Sequence, residues 1–421
     1  MKQKEIFVKA FLRLTMLYGS ENYAPDIRIL NRFYHEKMLL DESELYARYL
    51  DLFGKIRTVA ERKGEHIAVN GTVGSSFIAY LLGATDTNPL PLHECCPRCH
   101  TVKFLGEGTP FDRVPTKCSC GEDMIVDGHD IPFESNLKSV LSNYIQLGVS
   151  YAFFEEAKRM ICEEMQQNQA IVTLKNEETA LTWFCFLDQA EPGNKECLLD
   201  GNSEQYANYP RITLVPEKRL DQYKALETAT GFFMKDIGYH EISFVYPFFL
   251  DGNIGAIPHF DNDFIRNIFN TVEPQSYDDL LKLVGFAHGT NIWLGNAETL
   301  FRDGKTPWRE IPAYREELYE LICDRCYKNG IYDDGLAYEV AENARRGYYA
   351  RHGGVDKETR CFLLNLGFDM VFIEFLERIN YMFPKAHGIA YLREAICMMF
   401  YKLRYKNEYD HIVLGNDRKA Y

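Results

Sequence analysis

Apolar positions recur at helical spacing from the start of the chain. Over residues 5–18, Ile6, Phe7, Ala10, Phe11, Leu14 and Leu17 share one face, and Gly19 stops the run. A second helix is expected over 27–37. A third is expected over 42–63, with Asp41 as its N-cap and Leu45, Tyr49, Leu52, Phe53, Ile56 and Val59 facing inward. Ile67-Ala68-Val69 reads as a short strand, N-G-T-V-G-S-S as a Gly-rich turn and F-I-A-Y-L-L as a helix. Residues 137–164 read as mostly helical, with Tyr151, Phe154, Ala157 and Met160 periodic. Strand-like runs follow at 170–174, 181–187 and 212–215, with the polar stretch 188–209 read as a loop. Residues 228–247 carry a mixed pattern. Beyond 252 the pattern is almost all helical: 277–286, opened by Ser276 with Asp279 three residues on, then 313–328, 332–346, 368–382 and 389–405. The expected fold class is α/β followed by α, changing near residue 250. No internal repeat or low-complexity tract interrupts it.

Composition adds three constraints. A chain of 421 residues with 46% apolar content is expected to form two to three domains with real cores. The twelve scattered cysteines, and an N-terminus that runs straight into an amphipathic helix with no signal peptide, suggest a reducing cytoplasm. No apolar run reaches membrane-spanning length. The net charge of −14 argues against a face-wide grip on nucleic acid, so any such contact must be a local patch.

Residues 96–134 carry the strongest chemical signal. They read C-P-R-C, eighteen intervening residues, C-S-C-G, and then D-G-H-D-I-P-F-E. Two close cysteine pairs in a chain of this kind have the spacing of zinc ligands, which makes Cys96, Cys99, Cys118 and Cys120 the candidates. Gly121 suits a turn whose N–H groups point at sulfur, and Cys95 is a spare thiol beside the first pair. The alternative is four reduced core thiols. A closed four-thiolate site folds a loop and performs no chemistry. Cys323-Asp-Arg-Cys326 lies inside a helical pattern without a partner pair and is not expected to bind metal. Cys162, Cys185, Cys197, Cys361 and Cys397 read as mostly buried apolar residues.

At the Gly-rich turn, Gly71, Gly74, Ser75 and Ser76 would line an anion cradle made by backbone N–H groups and a helix start. Glycines at such a junction also serve as a plain tight turn.

Several separated blocks resemble the PolC-type DNA polymerase III alpha subunit, a C-family DNA polymerase. They are Val73-Gly74-Ser75-Ser76-Phe77, Asn88-Pro89-Leu90-Pro91, the cysteine segment, and Asp127-Gly128-His129-Asp130-Ile131-Pro132-Phe133-Glu134. Further on come His288-Gly289-Thr290, Trp293-Leu294-Gly295-Asn296-Ala297-Glu298 and Tyr381-Met382-Phe383-Pro384-Lys385-Ala386-His387. The resemblance implies a palm of the polymerase-beta-like nucleotidyltransferase type, a zinc-bearing insertion, a shortened thumb and helical fingers, without the accessory domains of the larger members. It gives a palm-like part with the Gly-rich turn at 1–90, a zinc-binding insertion at 91–134, a thumb and palm remainder at 135–250 and fingers at 251–421.

The resemblance also shows what is missing. Polymerase chemistry needs two metal ions held by carboxylates. The family places a P-D-x-D segment shortly after the D-I-P-F-E block; here no Asp or Glu occurs between Glu134 and Glu155. Asp236 is the remaining match to the third family aspartate. The family's arginine before the Gly-Ser turn is replaced by Asn70, one fingers arginine by Asp263 with Arg266 kept, and another by Glu273. At ~5 Å and an effective dielectric of ~20, each inverted charge near a triphosphate changes binding by several kcal/mol. Lys385 and His387 persist as candidate phosphate contacts, and Lys282 and His288 lie in the fingers-like part. The F-P-K-A-H block equally suits a helix start. Arg345-Arg346 reads as solvated charge at a helix end.

The expectation is a catalytically inactive PolC-like protein in the cytoplasm, with structural zinc and no magnesium. It would act as a DNA-binding or regulatory module in replication or repair, bound to DNA or a replisome or repair protein and not to a membrane. Two alternatives stand beside it. One is an active nucleotidyltransferase with a metal site rebuilt from Asp236 with Asp130, Glu134 or Asp261/Asp263. The other is an acidic protein-interaction scaffold.

Overall fold

The computed structural model describes residues 3–19, 24–41, 44–70, 72–133, 144–165, 170–187, 193–198, 209–332 and 334–415. The chain forms two compact units, Met1–Ile237 with Tyr401–Tyr421, and Gly238–Phe400. The pattern change near 250 therefore lies a short way inside the second unit, and the chain returns to the first at Tyr401.

The first unit opens with three helices, α1 (Gln3–Tyr18), α2 (Ile27–Leu40) and α3 (Glu44–Arg62). Ile6, Phe7, Ala10 and Leu14 of α1, and Tyr49, Leu52, Phe53 and Ile56 of α3, are buried in one core as their spacing requires. Asp41 does not cap α3. It ends α2, where its N–H donates to the carbonyls of Lys37 and Leu39. The N-cap of α2 is Asp26, whose carboxylate accepts from the Arg28 N–H.

Next come β1 (Ile67–Asn70), a 3-10 turn Thr72–Ser75 and α4 (Phe77–Leu81). A three-stranded antiparallel sheet, ordered β3-β2-β4, is built from β2 (His93–Cys95), β3 (Val102–Phe104) and β4 (Ile125–Asp127). A six-stranded mixed sheet, ordered β1-β5-β9-β7-β6-β8, adds β5 (Tyr144–Val149), β6 (Ala170–Lys175), β7 (Thr182–Leu187), β8 (Gly193–Leu198) and β9 (Arg211–Pro216). β5 lies between β1, antiparallel, and β9, parallel. Two expectations are corrected here. Residues 144–149 are a strand, not part of a helix: Ile145, Leu147 and Val149 alternate inward at a period of two. The loop expected over 188–209 contains the strand β8. The helix that follows β5 is Phe154–Met165, with Tyr151 exposed ahead of it.

The second unit is helical. Its helices include Tyr239–Leu250, Asp263–Val272, Tyr277–His288, Arg315–Lys328, Asp334–Arg345, Lys357–Asn365 and Met370–Arg378, and helix Lys385–Arg404 runs through the boundary at Tyr401. Ser276 caps its helix, accepting from the Asp279 N–H at 3.0 Å. The Asp279 carboxylate instead binds Arg309 and the Gln275 N–H. No helix among the described residues is long and apolar enough to cross a membrane.

Two of the resembling blocks hold each other in the first unit. The N–H groups of His129, Asp130 and Ile131 donate to the carbonyls of Asn88, Leu90 and Pro89. The Asn88 amide donates to Asp127 at 2.7 Å and to the Tyr18 hydroxyl at 2.9 Å. Tyr18 in turn faces the His93 Nε2 at 3.3 Å, while the other ring nitrogen of His93 lies 2.8 Å from the Pro91 carbonyl. Gly128 sits in the left-handed region at φ 94, and a Cβ there would lie 2.4 Å from the Pro91 carbonyl oxygen. Backbone strain and overlap act together. Gly128→Ala should therefore lower folding stability by about 2–5 kcal/mol, read as a lower urea midpoint at unchanged slope.

Candidate metal centre and the Gly-Ser turn

The four candidate thiols converge. Their sulfur atoms all lie within 4.8 Å of one another, with Cys96 to Cys120 and Cys99 to Cys118 each at 3.4 Å. Four thiolates ~2.3 Å from one zinc ion would lie ~3.8 Å apart, so the donor set and its size fit that ion. Two turns aim the sulfurs. His100, at φ 58, follows the first pair, where the Cys99 N–H approaches the Cys96 sulfur at 3.5 Å and the His100 N–H donates to the Cys96 carbonyl. Gly121, at φ 93, follows the second pair and donates its N–H to the Cys118 carbonyl. A hydrogen bond from the Thr101 hydroxyl lowers the Cys99 thiol, whereas hydrogen bonds within the quartet raise Cys120. Cys95 is no competitor: its thiol points 3.6 Å from the Leu17 carbonyl, and burial raises it to about 11. Cys323 and Cys326 are buried in their helix, whereas Cys361, expected inside, is exposed.

The Gly-Ser turn is organised by a residue that the motifs did not point to. Glu36 of α2 is fully buried. Its carboxylate accepts from the Ser76 hydroxyl at 2.9 Å, the Phe77 N–H at 2.8 Å, the Ile78 N–H at 3.0 Å and the Arg32 side chain at 2.5 Å. Arg32 also donates to the Ser75 carbonyl at 2.7 Å. The start of α4 thus faces an anion supplied by the chain itself. Ser75 and Ser76 are buried there, as is Gly74. Gly71 lies outside the described residues, and Asn70 pairs with Gln146 in the sheet.

Among the described residues, the four cysteines are the one group of three or more His, Cys, Asp or Glu side chains placed to share a metal ion. Asp236 is exposed on a short 3-10 turn, Met234–Asp236, and Asp130 is exposed at φ 47. Glu134 lies outside the described residues. Asp261 and Asp263 both bind Arg266, the latter at 3.3 Å. Glu273 closes helix Asp263–Val272 in a left-handed conformation.

The remaining candidates lie in the second unit, where Lys282, Arg345 and Arg346 are ion-paired. Lys282 pairs with Glu317 at 3.0 Å. Lys385 opens its helix with its N–H on the buried carboxylate of Glu316 at 2.9 Å, a second helix start held by an internal acid. His387 stacks on Phe383 at 5.5 Å, beside Tyr391. His288 packs against Phe383 and Tyr391. Its Nε2 is buried without a hydrogen-bond partner, and burial pushes its pKa below the usual imidazole value. Arg345 and Arg346 both bind Glu342.

Replacing Glu36 strips four donors of their acceptor and leaves the mostly buried Arg32 charge without its carboxylate. Glu36→Ala should cost about 3–5 kcal/mol of folding stability, and Glu36→Gln less, in denaturant titrations.

Residues 220–326 match the family model described as the bacterial DNA polymerase III alpha subunit finger domain. The chain is 25% identical to the PolC-type DNA polymerase III of Thermotoga petrophila, over 81% of this chain and 30% of that protein. It is 25% identical to that of Mycoplasmopsis pulmonis, over 82% and 29%, and 24% identical to that of Clostridium perfringens, over 82% and 28%. The chain thus matches less than a third of the length of these relatives. Most of the chain is PolC-like in sequence, and residues 220–326 carry the match to the finger domain.

Proposed function

We infer that the chain is a PolC-related, DNA-contacting module without polymerase chemistry, whose cysteine ribbon is closed by one structural zinc ion. The observation that carries this reading is the stretch 135–154, without a single Asp or Glu where the resemblance expects the metal-binding pair. The reading is supported by Asp130, Asp236, Asp261 and Asp263, which among the described residues join no group of three or more side chains placed to share a metal ion. The cations that would hold a triphosphate support it too: Arg266 and Lys282 already answer acids of the chain. The palm-like assignment of the first unit rests on the Gly-Ser turn and the D-G-H-D-I-P-F block. The D-G-H-D-I-P-F block bonds to Asn88, Pro89 and Leu90, and the Gly-Ser turn to Glu36 and Arg32, which accounts for keeping both blocks without catalysis.

The chain should give no templated primer extension above background with magnesium or manganese; clear extension would refute the catalytic part of the reading. Metal analysis should find about one zinc per chain. Chelation or Cys118→Ser should remove it and lower the melting temperature. A metal-free chain of unchanged stability would make the ribbon a plain thiol cluster.

A further inference from the structure

We propose that residues 346–357 form a contact surface for single-stranded nucleic acid, a base lying against the Tyr348–His352 ring pair and phosphates against Arg351 and Lys357. This rests on the reading of the chain as a DNA-contacting module and names where the contact is made. The sequence there is R-G-Y-Y-A-R-H-G-G-V-D-K, a local run of cations in a chain of net charge −14.

Tyr348 and His352 lie one turn apart and stack face to face, centroids 4.0 Å apart and planes 19° from parallel. Tyr348 is 45% exposed, and His352 is exposed. An aromatic pair left in water costs hydration with no folding gain, and its flat face is the surface on which an unpaired base stacks. The pair is held rigidly. His352 Nδ1 lies 2.8 Å from the Tyr348 carbonyl, which fixes that nitrogen as the donor and turns Nε2 outward. Gly347, at φ 64, leads into the turn and packs so tightly that a Cβ would lie 2.4 Å from the Asn380 carbonyl oxygen. The ring pair is therefore anchored to the body of the second unit.

The charge beside it is not internally spent. Arg351 and Lys357 are exposed and enter no ion pair among the described residues. Arg346 is half-exposed and shares the single carboxylate of Glu342 with Arg345, which leaves one positive charge over. The nearby acids keep their charge: Asp356 is the N-cap of helix Lys357–Asn365, accepting from Thr359, and Glu358 is exposed, so Lys357 stands between two carboxylates in sequence while Arg351 has none within four residues. Gly353, at φ 82, has open space where a Cβ would point, and its N–H makes no backbone hydrogen bond among the described residues. Rings, cations and open backbone within a dozen residues are what an extended strand uses, base by base and phosphate by phosphate. An acidic peptide would engage the cations and leave the rings idle. A duplex would keep its bases out of reach of them.

The test is fluorescence anisotropy of a labelled oligothymidylate with the full chain over a range of salt. Saturable binding that weakens with salt is expected. Tyr348→Ala should weaken it about tenfold or more, and Tyr348→Phe should not. Arg351→Ala and Lys357→Ala, both at exposed positions, should each flatten the slope of log affinity against log salt by about 0.7. Circular dichroism checks that each variant is folded. If the chain binds but all these variants bind with unchanged affinity and slope, this surface is refuted while the DNA-contacting reading stands. If the chain binds no oligonucleotide even at low salt, both fall. Duplex bound as tightly as single strand, regardless of Tyr348, would also overturn the proposal.

Discussion

A carboxylate removed from water must be met by donors, and Glu36 is met by four. That requirement fixes α2, the Gly-Ser turn and the start of α4 against one another. The turn's neighbours follow: β1 leads into it, and β1 pairs with β5, whose Ile145, Leu147 and Val149 lie in the same core. Glu316 repeats the device in the second unit at the start of helix Lys385–Arg404. In both places a helix N-terminus, which would otherwise favour a bound anion, faces an acid of its own chain. The resembling blocks are thus accounted for by internal bonding, and their presence does not by itself indicate a nucleotide site.

The same economy of charge runs through the candidate binding residues. Arg266 lies between Asp261 and Asp263, and Lys282 against Glu317. A cation that already neutralises an internal acid contributes little to an incoming phosphate unless the acid is displaced. The cysteine ribbon differs in kind. Its four donors face one another and no internal cation, the arrangement that suits a divalent metal. Arg351 and Lys357, exposed and in no ion pair among the described residues, lie in sequence outside the blocks that the resemblance picks out.

Local signals were legible in the sequence, and long-range ones were not. Helical periodicity placed α1 and most of α3, and the cysteine spacing placed the quartet, because both depend on residues close in the chain. The strand Tyr144–Val149 was read as helix although Ile145, Leu147 and Val149 alternate. Six residues are a short sample beside the strong helical pattern that follows, and what makes them a strand is pairing with β1 and β9 far away in sequence. Cys361 shows the limit of residue preference, since cysteine is usually inside and this one is exposed. Glu36 was visible in principle. It occupies an inward position with Ile29, Phe33 and Leu40, and an acid on an apolar face announces a buried carboxylate whose partners the sequence does not name.

The central claim is that this PolC-like framework is held together by its own charges and no longer receives a metal-bound nucleotide. Calorimetric titration of the zinc-loaded chain with deoxynucleoside triphosphates and magnesium tests it most directly. The account predicts no saturable heat. Saturable, magnesium-dependent binding would contradict it.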